Sequence, residues 1–274
     1  MATAKSKMEG SKVVSQTEWL AARKNLLSKE KEFTRLRDEL SRQRRELPWE
    51  KIEKEYVFDG QNSKETLADL FGGKSQLMVY HFMFSPGWEE GCPSCSFLSD
   101  HIDGSLMHLA ARDVTLVVVS RAPLAQIEAF RKRMGWRFKW VSSYGNDFNR
   151  DHHVSFTKEE MANGQMYYNY VMQHFPREEG PGMSAFYKDG NGGIFHTYSS
   201  YGRGLDMLVG TYNWLDLAPK GRDEDDLAFT MAWVRHHDKY GDVRFVDQLR
   251  TYSPPKSDVL APKSSDSCCS GDNH

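Results

Sequence analysis

Cys92-Pro93-Ser94-Cys95 is the segment of this chain whose residue types and spacing can do chemistry. Two cysteines three residues apart at a helix start share one face, close enough to form or break a disulfide. A helix N-terminus adds partial positive charge and unpaired N–H groups, which favour thiolate over thiol and can lower a cysteine pKa from about 8.5 to roughly 3.5–7.5. Cys92, nearer the helix end, is predicted to be the more exposed and to attack a substrate disulfide or peroxide as a thiolate. Cys95, one turn on and more buried, would then resolve the mixed species by closing the internal disulfide. The residues ask for no cofactor beyond that redox-active disulfide.

A second chemistry uses the same thiols as half of a zinc or soft-metal site, which needs two further ligands. Cys268 and Cys269 in the polar segment near the C-terminus, or His152 and His153, are the candidates. The vicinal tail cysteines could equally relay electrons to Cys92, or be incidental thiols. The pairs His152/His153 and His236/His237 cannot both face one way on a strand or helix, so each reads as a surface feature.

The elements that must position the cysteines are legible on either side. Leu77, Met78, Val79, Tyr80, Phe82, Met83 and Phe84 make a nearly continuous apolar run, as expected of a strand buried on both faces. Ser85, Pro86 and Gly87 break it, and Pro93 fits a first helical turn, which places Cys92 at the cap. That helix is expected to run to about Ala111. A strand over Val114–Ser120 follows, then a helix opened by Pro123 and closed by Gly135, then a strand over Phe138–Ser142. Strands alternating with helices imply right-handed crossovers and a parallel sheet. Asp189-Gly-Asn-Gly-Gly193 between two apolar segments signals a hairpin, which makes the sheet mixed, and a final helix is expected from about Gly204 to Asp216.

Around this core, residues 1–14 read as a disordered N-terminus, 15–48 as an N-terminal helix, 49–252 as the main domain, and 253–274 as a disordered cysteine-containing tail. Ser15 with Glu18 makes a capping box and Pro48 stops the helix. Trp19, Leu26, Phe33, Leu40 and Leu47 recur every seven residues in it, a stripe that must pack on this chain's own core or on another subunit, as in a homodimer. An aromatic insertion over about 144–180 reads as core packing or as a lid over the dithiol.

Composition narrows the setting. A formal net charge of -2 over 274 residues argues against generic nucleic-acid binding, and four cysteines suit a reducing, cytoplasmic location. No apolar stretch approaches the length of a membrane span, and no signal-peptide pattern opens the chain. The partner expected is a disulfide or thiol substrate of unspecified kind.

The β-α-β unit with CxxC on its first helix, followed by a hairpin and helix, resembles the thioredoxin-like fold. Ser-Pro-Gly-Trp with Gly-Cys-Pro-Ser-Cys-Ser-Phe, Val-Val-Val-Ser-Arg-Ala-Pro, Trp-Val-Ser-Ser, Gly-Met-Ser-Ala-Phe-Tyr and Tyr-Asn-Trp-Leu-Asp-Leu-Ala-Pro-Lys-Gly-Arg-Asp-Glu are similar to the mainly bacterial family called domain of unknown function 899. The resemblance covers about residues 15–252 and implies an α/β, thioredoxin-like fold with a mixed sheet, but no substrate. Two departures from thioredoxin stand out. Trp88 is separated from Cys92 by Glu89, Glu90 and Gly91, and carboxylates beside a thiolate raise its pKa. The cis-proline that this fold places before its penultimate strand has Pro181 as its candidate, about one residue out of register. A peroxiredoxin-like peroxidase ranks lower, because Pro86 precedes Cys92 by six residues with no threonine between.

Overall fold

The computed structural model describes residues 11–241. Cys268, Cys269, the expected domain end near Tyr252 and the tail over 253–274 lie outside the described residues. The chain opens with helix α1 (Gln16–Glu46), capped as expected: the Ser15 hydroxyl accepts from the Glu18 N–H, and the Glu18 carboxylate accepts from the Ser15 N–H. No residue of α1 is buried. The seven-residue stripe therefore does not pack on this chain's own core.

Beyond α1 come β1 (Glu50–Lys51), β2 (Val57–Asp59), β3 (Lys64–Thr66), α2 (Leu67–Leu70) and β4 (Gln76–His81). Then follow α3 (Pro93–Ser99), α4 (Leu106–Ala110), β5 (Val114–Ser120), α5 (Leu124–Arg133) and β6 (Lys139–Ser142). The insertion holds α6 (Phe148–Asp151), α7 (Lys158–Asn163) and a separate hairpin of β7 (Met166–Tyr168) and β8 (Val171–Gln173). The expected glycine-rich hairpin is β9 (Gly182–Lys188) and β10 (Ile194–Tyr201), followed by a 3₁₀ segment over Gly202–Leu208 and α8 (Gly210–Leu215).

These strands form one mixed sheet in the order β1-β10-β9-β4-β5-β6-β2-β3. β4, β5 and β6 are parallel, while β9 runs antiparallel to β4 and β10 to β9. The β4-helix-β5 crossover, joined to the β9/β10 hairpin and the closing helix, is the expected thioredoxin-like core, α/β with an N-terminal helical extension. Alternation along β4 sorts side chains to the two faces. Leu77 and Val79 join one cluster with Val117, Val119 and Phe148; Tyr80 and, just past the strand, Phe82 join the other with Trp140, Cys92 and Cys95.

Two expected helices are broken for visible reasons. The run to Ala111 is interrupted between α3 and α4, where the Asp103 carboxylate accepts the backbone N–H groups of Arg137 and Phe138 at 2.9 Å each and Gly104 forms the turn. Asp103 thus serves the lead-in to β6 instead of a helix. The final helix is divided at Val209, whose φ and ψ of -88° and 92° are extended, so that Val209 is buried against the dithiol cluster.

Candidate functional site

Cys92 is the N-cap of α3 and Pro93 its first residue, as the sequence predicts. With only seven residues in α3, the field at its start is that of the unpaired N–H groups of one short turn. The Cys92 N–H donates to the Met83 carbonyl at 3.1 Å, which ties the loop back to the end of β4. Its carbonyl accepts from the Ser96 N–H and hydroxyl, both at 2.9 Å. Ser94 occupies the first turn, half-buried. The two cysteines are not joined by a disulfide.

The exposure expected of Cys92 is corrected: Cys92 and Cys95 are each only 2% exposed. The residues that cover Cys92 come from far along the chain. Val234 is packed in the same cluster as both cysteines. His236, itself buried, donates from Nε2 to the Gly91 carbonyl at 2.8 Å and accepts at Nδ1 from Arg133 at 3.2 Å. Burial holds the His236 imidazole below its ordinary pKa, against the pull of the Gly91 carbonyl and Glu90. The reading of both histidine pairs as surface features is likewise corrected, since His152 and His236 are buried while His153 and His237 face outward.

Glu90 was expected to place negative charge beside the thiolate, and it is otherwise engaged. Lys239 grips it at 2.6 Å and Arg133 at 2.8 Å, and Arg133 continues to Asp238. Burial alone would raise the Glu90 carboxyl, but Lys239, Arg133 and His236 hold it below the usual range. His237 closes the same strap onto Asp100 at 2.7 Å. Residues 233–239 thus lie across the loop that carries Cys92, held by ion pairs at both sides and by buried apolar contact beneath.

Tyr80 is a site residue that the sequence reading left within an apolar run. It is buried on the dithiol face of β4, and its phenol hydrogen-bonds Cys95. Burial first, then the charges that Cys95 and Cys92 would carry, keeps that phenol far above its ordinary pKa, so it stays a donor. The available signal was the alternation that puts Tyr80 and Phe82 on one face.

Trp88 packs on the dithiol cluster from outside and donates from its indole to Glu178 at 3.0 Å. It forms one wall of a cavity of about 320 Å³ lined also by Phe156, Lys158, Met161, Arg177 and Glu178. Next to it Glu179 is buried, accepting from Arg121 and, at 2.6 Å, from Ser155. Burial pushes its carboxyl up to about 7 against both donors. The insertion is therefore divided in its use. Phe156, Met166 and Tyr168 form a small core with Val154 and Tyr201, Phe175 bridges that core to the dithiol cluster, and Tyr144, Tyr170 and Met172 are exposed.

Pro181 immediately precedes β9, where the expected proline should stand, but the cis bond is corrected: among the described residues every peptide bond is trans. The lead-in is already an extended pairing, with the Gly180 N–H on the Val154 carbonyl at 2.8 Å and the Pro181 carbonyl accepting from Tyr168 at 2.7 Å. A trans bond continues that path. His152 lies against His81, Phe148 and Phe186, on the sheet face away from the dithiol, and cannot join the cysteines as a ligand. Among the described residues, no group of three or more His, Cys, Asp or Glu side chains is placed to hold a metal ion. No described helix is long and apolar enough to cross a membrane.

Fold and site together define a thioredoxin-like α/β protein with a dithiol at the start of its first crossover helix. The chain belongs to the family described as bacterial protein of unknown function (DUF899), whose model matches residues 8–240. It is similar to the solved structure of peroxidoxin BcpB from Mycobacterium tuberculosis, with 10% identity over 60% of this chain and 95% of that one and a TM-score of 0.36. PrxQ from Xylella fastidiosa is 13% identical over 59% and 89%, with a TM-score of 0.35. A Chlorobium tepidum protein assigned as the thiol:disulfide interchange protein DsbE is 13% identical over 60% and 97%, with a TM-score of 0.37. No curated protein matches.

Proposed function

We propose that this protein is a thiol–disulfide oxidoreductase acting through Cys92 and Cys95 in the cytoplasm. The observation that carries the reading is the pair itself: two thiols one helical turn apart in one packed cluster, one at the helix cap and the other on the Tyr80 phenol. The Cys92 thiolate attacks one sulfur of a substrate disulfide and expels the other as a thiolate. The Cys95 thiolate then attacks Cys92 Sγ in the mixed disulfide, which releases the second substrate thiolate and leaves the Cys92–Cys95 disulfide. The substrate gains two electrons and the dithiol loses two. The Tyr80 phenol, hydrogen-bonded to Cys95, orients that sulfur for the resolving step.

Access in this scheme requires the cover over Cys92 to move. The cavity beside Trp88 receives the remainder of the substrate, and its volume lies at the lower end of the range for small-ligand sites, about 300–1,000 Å³. Equilibration in dithiol/disulfide buffers, read by mass after alkylation, tests the reading. A single two-electron transition is expected, lost in Cys92→Ser and in Cys95→Ser, and a midpoint near about -270 mV marks a reductase. A Cys92–Cys95 pair that never oxidises in any buffer overturns it.

A further inference from the structure

Helix α1 leaves its apolar stripe uncovered: Trp19, Leu26, Phe33, Leu40 and Leu47 are 57%, 53%, 64%, 43% and 45% exposed. At 1.5 Å per residue the helix is about 46 Å long, and the stripe runs through four seven-residue repeats, the length at which such a pattern specifies a coiled coil. The period also fixes the kind of partner. One apolar residue every seven, with Ala22 and Leu36 at two of the half-repeats, stays on one side of a helix wound with another at the coiled-coil period.

The flanks say which helix. With the stripe residues taken as position a, the g flank carries Glu18, Glu32, Glu39 and Glu46, with Asn25 between them. The e flank carries Arg23, Arg37 and Arg44, with Glu30 between them. In a parallel two-stranded coil each g residue faces the e residue five positions further on in the other strand. That rule sets Glu18 against Arg23, Glu32 against Arg37 and Glu39 against Arg44 of a second copy, with Asn25 against Glu30. In an antiparallel coil like flanks meet, acidic on acidic and basic on basic. We infer that α1 pairs with α1 of a second copy of this chain as a parallel, in-register coiled coil, which makes the protein a homodimer.

Three further features fit that partner. Among the described residues Glu32 and Arg37 have no ion-pair partner within the chain, and the pairs that Glu39 and Arg23 do make, with Arg42 at 2.6 Å and Glu30 at 2.8 Å, are exposed enough to exchange at little cost. At position d the helix has Ala22, Lys29, Leu36 and Gln43. Polar residues at such seam positions cost stability and hold strands in one register. The helix is also tied to the body at its C-terminal end, where Arg44 lies over the Tyr198 ring and β1 pairs with β10. A parallel pair places both bodies at one end of the coil.

The inference is independent of the redox reading, and charge exchange in the full-length protein tests it. Sedimentation equilibrium of the unaltered chain is expected to give a dimer at micromolar concentration. Glu32→Arg with Glu39→Arg makes both flanks basic over that stretch, and Arg37→Glu with Arg44→Glu makes both acidic. Each double variant alone should dissociate, its dimer constant weakened by at least about tenfold. An equimolar mixture of the two should recover a heterodimer, since each altered g-to-e pair is again opposite in charge. None of the four residues is buried, so the far-ultraviolet spectrum and thermal unfolding of the body serve as controls for folding. A monomeric unaltered chain, a double variant that stays dimeric alone, or a mixture that fails to pair each overturns the inference.

Discussion

Gly91 stands between the carboxylate that the strap grips and the thiol that it covers. A Cβ there would lie 2.6 Å from Phe82 Cε1 and 2.8 Å from Phe130 Cε1, so two aromatic rings of the core leave room only for hydrogen. Gly91→Ala must therefore push the loop outward or the rings inward, at a cost of about 1–3 kcal/mol in urea unfolding. Outward displacement carries Cys92 with it, and its alkylation should quicken in parallel with the lost stability. An unchanged alkylation rate in a destabilised variant would mean that the rings yield and the loop does not. At this scale the sequence was informative about identity and poor on environment. Cys92 at the cap and Pro93 at the first turn follow from local rules, whereas the cover over Cys92 comes from Val234 and from His236, which bonds Gly91 from 145 residues further along the chain. No local periodicity carries such a contact.

At the scale of elements, the strap over residues 233–239 is the piece with most bearing on the chemistry. Its hold on Gly91 is a single buried hydrogen bond from His236, reinforced by the pairs that Glu90 makes with Arg133 and Lys239. In His236→Ala the Gly91 carbonyl loses its partner, and Cys92 should react with iodoacetamide about tenfold faster through easier local opening. His236→Gln restores an N–H donor and should fall between. Equal rates in all three proteins would show that the cover opens elsewhere, with Trp88 the next place to look. The parallel strands were legible because Leu77–Phe84 and Thr115–Val119 are apolar runs of strand length, and the β9/β10 hairpin because its turn is glycine-rich. The strands β1 and β3 and the division between α3 and α4 were not legible. Strands of two or three residues have no period to detect, and Asp103 breaks its helix for the sake of backbone groups 34 and 35 residues on.

For the whole molecule, the face of the sheet away from the dithiol contributes to the response to acid. His152 lies there with His81, and burial, followed by the neighbouring His196, lowers its pKa from 6.5 to about 3. Between those values the unfolded chain takes up a proton that the folded one refuses, so stability is fully present above about 6.5 and falls as the pH drops toward about 3. At about 1.36 kcal/mol per pKa unit a shift of this size is worth several kcal/mol, and His81, lowered by burial and by His152, adds to the same slope. Urea titrations at a series of pH values should show this slope, reduced in His152→Phe, which keeps a ring among Phe148 and Phe186; an equal slope in both proteins would place the acid sensitivity elsewhere.

The sheet itself ends on β1 and β3, strands of two and three residues with Glu50, Lys51, Lys64 and Glu65 among them. Such short, charged margins offer an incoming strand too little backbone to template on and present charge where it would have to lie flat. Growth by strand addition, the common route from a mixed sheet to fibres, is disfavoured at these two margins. Association is left to surfaces whose stoichiometry is finite.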